Sequence, residues 1–87
     1  MITGTATVRN ELGVHARPAA LFVQLAARFQ SEILLLKNGV EVNGKSIMGV
    51  MMLAAERGSV LEIRADGTDA DRAVTELVAL VEGGFEE

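Results

Sequence analysis

The chain has no cysteine, tryptophan or tyrosine, and only one proline and one histidine among its 87 residues. Lack of cysteine removes disulfide staples, thiolate metal sites and thiol nucleophiles together. The only aromatics are Phe22, Phe29 and Phe85. That is too few for a platform that stacks single-stranded bases, and a formal net charge of −4 supplies no basic groove to follow a backbone. The composition therefore argues against nucleic-acid partners. No apolar stretch approaches the roughly 20 residues of a membrane span. The opening Met1-Ile2-Thr3-Gly4 lacks the basic and apolar regions of a signal peptide. The expectation is a cytoplasmic protein without membrane insertion.

What is present is enough for one folded unit. Apolar residues make up 49% of the chain, which permits a continuous core, and independent domains rarely fall below about 50 residues, so residues 1–87 form a single domain. Charge is unevenly spread. Residues 1 to 50 hold five basic and three acidic groups, a net of +2, whereas residues 51 to 87 hold three basic and nine acidic, a net of −6. An anion is expected to be met by the first half, which also holds the single histidine, His15.

Ile2, Gly4, Ala6 and Val8 alternate with polar residues as in a half-buried strand. From Ala16 the period becomes helical, with Ala19, Phe22, Val23, Ala26 and Phe29 on one face. Pro18 is tolerated only in the first turn of such a helix, which puts its start near residue 16 with His15 at or beside the N-cap. Glu32–Lys37 and Val40–Asn43 read as strands joined by the hairpin turn Asn38-Gly39. Ser46 is an N-cap for a short helix running to about Leu53, and Val60–Ala65 is a further strand ending at Asp66-Gly67. The last helix opens on Thr68 and Asp71, spaced as a capping box, and stops at Gly83-Gly84. Phe85-Glu86-Glu87 is then expected to be a frayed acidic tail. Strands with at most one buried face suit an antiparallel sheet with helices on one side, an α+β sandwich.

Three places could carry chemistry. In Gly13-Val14-His15-Ala16-Arg17-Pro18-Ala19-Ala20 an imidazole stands at a helix N-terminus among unpaired N–H groups, with the Arg17 guanidinium nearby. A neutral imidazole nitrogen there can attack phosphorus, while the N–H groups and the guanidinium stabilise the transferring charge. From the residues alone, His15 also fits an incidental cap and Arg17 a solvated charge. Gly39-Val40-Glu41-Val42-Asn43-Gly44-Lys45-Ser46 spells the phosphate-binding loop of nucleotide triphosphatases. Its alternating Val40-Glu41-Val42, placed after a hairpin turn, reads as a strand instead. A nucleotide-hydrolysing enzyme, one competing class of function, would need that loop. Third, Ser46 is both a helix cap and a suitable phosphorylation switch, since a phosphate near −2 suits the backbone dipole but opposes an apolar surface. If Val50 and Leu53 face the core, Ile47, Met48 and Met51 form an exposed apolar patch; the alternative is that they are ordinary core residues. Asp66, Asp69 and Asp71 lie where turns and helix starts favour aspartate and form no metal box.

At Gly13–Ala20, and again at Asn43-Gly44-Lys45-Ser46-Ile47-Met48-Gly49-Val50, the chain closely resembles the HPr family, histidine-containing phosphocarriers of the bacterial phosphoenolpyruvate-dependent phosphotransferase system. The resemblance spans essentially the whole length. It implies an α+β open-faced β-sandwich, a four-stranded antiparallel sheet with three helices on one face, and a carrier without turnover or cofactor of its own. His15 would take a phosphoryl group from enzyme I on Nδ1 and give it to an enzyme IIA component. Arg17 would assist the transfer, with Ala16 and Pro18 supporting the helix start. The matching serine is modified by a dedicated kinase/phosphorylase in some lineages, which implies that role for Ser46 and opens the way to a transcriptional regulator as a further partner. Ala16, Ala20, Gln24, Ile47, Met48 and Met51 map to the partner-docking face of a monomer. Two features depart from part of the family. Gln24 and Ala27 stand where some members carry lysines, and Gly84-Phe85-Glu86-Glu87 is similar to the nitrogen-related branch, whose acceptor is regulatory instead of a sugar transporter. A regulatory binding module controlled through Ser46 remains the second competing class.

Overall fold

The computed structural model describes residues 1–87 and runs β1 (Ile2–Thr7), α1 (Ala16–Ala26), β2 (Glu32–Lys37), β3 (Val40–Asn43), α2 (Ile47–Met52), β4 (Val60–Asp66) and α3 (Ala70–Glu82), followed by a 3-10 turn at Gly84–Glu86. The strands form one sheet in the order β1-β4-β2-β3, every neighbouring pair antiparallel. This is the expected architecture, with α1, α2 and α3 against one face of the sheet.

Register explains which side is covered. Gly4 pairs with Ile63, Ile63 with Leu35 and Leu35 with Val42, so these residues share the helix-covered face. Ala6, Ile33, Leu35, Leu61, Ile63 and Ala65 are buried there against Phe22 and Ala26 of α1 and Ala73, Val74, Leu77 and Val81 of α3. The intervening row of Thr5, Glu62, Leu36 and Glu41 looks outward. Gly4 lets α3 lie close, because a Cβ there would sit 2.7 Å from Val74 Cγ1.

Two carboxylates tie α3 to distant segments. Glu82, in the last turn of α3, accepts from the Thr7 N–H at 2.7 Å and from Arg9 Nε at 2.9 Å, which holds its carboxyl below the usual range. Asp69 accepts from the N–H groups of Gln30 and Ser31 and from Ser31 Oγ. These bonds, the Ser31 hydroxyl foremost, lower its pKa from 3.8 to about 2.

The structure corrects two sequence expectations. Asp69, not Thr68, is the N-cap residue of α3, and it makes no side-chain cap bond because its carboxylate is committed to the α1–β2 loop. The chain end is not frayed. Phe85 is fully buried within the core and adopts a left-handed φ of 56°, as Glu86 does at 64°. Such backbone costs on the order of 1–3 kcal/mol per residue and persists only when packing over-determines it. The signal available in the sequence was an aromatic residue placed just beyond Gly83-Gly84, where a frayed tail would have no use for one.

Candidate functional site

His15 is the N-cap residue of α1, extended at φ −89° and ψ −166°, and its side chain makes no cap bond. What holds it there is the preceding loop. Gly13 takes a φ of +70°, and a Cβ at that position would collide with the carbonyl oxygen of Ala55. The Val14 N–H donates to that same carbonyl at 2.9 Å, and the buried Val14 side chain locks the approach. The buried Asn10 side chain donates through Nδ2 to the Gly13 carbonyl. Gly13 is thus required both for its backbone angle and for the close passage of the loop after α2.

Beyond His15, Ala16 and Arg17 occupy the first two helical positions, and Pro18 and Ala19 are buried below them. The N–H groups of Ala16 and Arg17 have no backbone acceptor, Pro18 has no N–H, and the Ala19 N–H bonds back to the His15 carbonyl at 2.9 Å. Two free N–H groups therefore stand beside the imidazole at the positive end of an 11-residue helix. Arg17 is exposed and engaged in no ion pair, so its guanidinium is free to meet an anion.

The sequence did not anticipate the remaining neighbour. Glu87 Oε2 lies 3.2 Å from His15 Nε2, and its Oε1 accepts from Asn10 Nδ2 at 3.1 Å. An acid from the negative half of the chain thus belongs to the site, and the buried Phe85 is what keeps it there. An ionised carboxylate can only accept, so this contact is a hydrogen bond when Nε2 carries the ring proton. The lone pair of the neutral imidazole is then on Nδ1. The His15 side chain is 38% exposed, open enough to react yet held on one edge.

The second region is α2. Ser46 caps it, its Oγ accepting from the Gly49 N–H at 3.1 Å. Val50 and Leu53 are buried, while Ile47 is 45%, Met48 75% and Met51 43% exposed, so the patch reading applies and the core alternative does not. Met52, at 77%, joins the patch, and Leu12 is exposed on the loop leading to His15. Periodicity does not settle Met52 and gives no signal for Leu12. Helix α2 packs on α1, where Ala16 and Gln24 are exposed and Ala20 is half-buried.

The nucleotide-loop spelling is a coincidence of letters. Val40–Asn43 is strand β3, and Lys45 Nζ is used to cap the Phe29 carbonyl at 2.7 Å.

Comparison with known proteins gives one consistent result. The family model described as "PTS HPr component phosphorylation site" matches residues 2–83. A Phosphocarrier protein HPr of Treponema pallidum is 49% identical over 87 residues, covering 100% of this chain and 99% of that protein. A crystal structure of HPr from Thermoanaerobacter tengcongensis superposes with a TM-score of 0.95 at 46% identity, covering 100% of this chain and 98% of that one. A structure described as an HPr dimer from the same organism gives 0.79 at 46% identity, with full coverage of both chains.

Proposed function

The chain belongs to the HPr family of phosphotransferase-system phosphocarriers, and from that premise we propose that His15 Nδ1 is the atom that carries the phosphoryl group, received from phosphorylated enzyme I and passed to an enzyme IIA component. The observation that carries this reading is the one-sided grip on the imidazole. Glu87 faces Nε2 and leaves the nucleophilic lone pair on Nδ1. Attack forms the Nδ1–P bond as the bond from phosphorus to the donor breaks, the donor keeping that electron pair. The ring gains positive charge in the process, and the Glu87 carboxylate facing Nε2–H offsets it. The free N–H groups of Ala16 and Arg17, together with the Arg17 guanidinium, offset the negative oxygens of the moving group. Transfer to the acceptor is the same step in reverse, with the acceptor nucleophile attacking phosphorus.

Partners dock on Ala16, Ala20 and Gln24 of α1 and on Ile47, Met48 and Met51 of α2, a mostly apolar face next to the nucleophile. These contacts are transient, because a relay that binds tightly cannot turn over. Ser46 sits at the edge of that face, where a kinase/phosphorylase would place negative charge against the docking partner and change its access. The carrier acts in the cytoplasm as a single chain. No helix is long and apolar enough to cross a membrane.

Incubation with enzyme I and labelled phosphoenolpyruvate gives one acid-labile, base-stable phosphate per chain, and His15→Ala abolishes it. An unlabelled parent protein overturns the assignment. Running the second transfer against acceptors of the sugar and nitrogen classes assigns the branch.

A further inference from the structure

The oxidisable side chains of this protein are distributed in an unusual way. With no cysteine, tryptophan or tyrosine, two-electron oxidants meet the methionine thioethers as the softest available nucleophiles. None of the four methionines is in the core. Met1 is exposed at the start of the chain, and Met48, Met51 and Met52 are all exposed within the six residues of α2. The core positions are filled by Val50 of the same helix and by its C-cap Leu53, so three sulfurs lie on the outer side and no sulfur supports the fold. Met48 and Met51 share the patch with Ile47 next to the Ser46 cap, and Met52 stands at the far end of α2 beside Lys37, Asn38 and Val40 of the β2–β3 hairpin.

We propose that Met48, Met51 and Met52 form an oxidation-sensitive patch, through which hydroperoxides switch off docking without unfolding the carrier. The inference rests on the docking role given above to α2. In each event a thioether sulfur attacks the terminal oxygen of hydrogen peroxide. The S–O bond forms as the O–O bond breaks, the departing hydroxide takes up the hydroperoxide proton as water, and the sulfur is oxidised by two electrons while the peroxide is reduced. The product sulfoxide is polar and a strong acceptor. On the outer side of α2 it is solvated and costs the fold little. Pressed against an apolar partner it loses water without gaining a donor, which opposes association. Nδ1 chemistry at His15 is untouched, so the defect belongs to the encounter and not to the transfer step.

The test treats the whole protein with hydrogen peroxide until peptide mapping shows sulfoxide at residues 48, 51 and 52, then measures phosphoryl transfer from phosphorylated enzyme I. The expected result is a rise in KM for the carrier of about tenfold, an unchanged thermal midpoint, and recovery after treatment with methionine sulfoxide reductases. A Met48→Leu/Met51→Leu/Met52→Leu variant, scored against its own untreated rate, loses no more than a small fraction under the same treatment. Equal rates for oxidised and untreated parent overturn the proposal. A loss that persists in the triple variant, or that the reductases do not reverse, also overturns it, because the damage then lies elsewhere. An untreated parent that accepts no phosphate at all instead overturns the carrier reading, so the two failures are distinguishable.

Discussion

Glu87 reaches the imidazole across 72 residues of sequence, and its role is testable at one atom. If the carboxylate selects the Nε2–H tautomer, nitrogen NMR of the neutral ring shows that form dominant in the parent and a mixture in Glu87→Ala. The same variant slows phosphoryl transfer by about fivefold, the scale of one partly exposed charged hydrogen bond. Arg17→Ala slows it further, by about 10- to 100-fold, since the guanidinium meets charge that develops only in the transition state. Neither change alters the fold, because neither side chain is packed in the core, and equal rates for variant and parent would remove the roles. The difference between these two residues marks the limit of what the sequence reveals. Arg17 was legible because Pro18 fixes the helix start and the neighbouring positions follow. Glu87 was not, because no local spacing says where a chain end lands, and a side chain that acts through a contact of such separation leaves no periodic trace.

At the level of elements, local chemistry was read well wherever it decides the outcome locally. The Asn38-Gly39 turn, the Ser46 cap and the α2 patch are all in place. Misreadings arose where a side chain serves a distant segment, as Asp69 does in binding the α1–β2 loop instead of capping its own helix. The Ser46 cap carries a prediction of its own. Aspartate caps a helix as well as serine does, so Ser46→Asp leaves the circular dichroism spectrum and thermal midpoint near those of the parent. Its added charge beside the docking face nevertheless weakens enzyme I binding by about 3- to 10-fold in titration calorimetry. Unaltered binding would separate Ser46 from the docking surface.

For the whole molecule, the two carboxylates that tie α3 to distant segments contribute to stability in a pH-dependent way. Asp69 titrates at about 2 when folded against 3.8 ordinarily. A depressed folded value means that its contribution is complete above pH 4 and is lost as the pH falls from about 4 toward 2. Glu82, held down by the Thr7 N–H and by Arg9, acts in the same direction. Urea midpoints recorded from pH 6 to pH 2 therefore decline through this window, and Asp69→Asn flattens the decline while lowering the plateau. A variant curve parallel to the parent's would show that the α1–β2 loop does not depend on this carboxylate.

The sheet order has one more consequence, in the time domain. β1 is completed only by β4, which pairs Ile2 with Ala65 and Thr7 with Val60, and the loop bearing His15 is anchored at Ala55. Closure of such long loops must precede any gain from the contacts, which makes assembly a late and concerted event. During synthesis the ribosome releases β1, α1 and the histidine well before their partners exist. A nascent chain therefore displays an imidazole with neither its helix start seated nor its proton placed. On the carrier role proposed for His15, only finished copies offer the donor a competent nucleophile, and the topology then keeps phosphate off incomplete carriers.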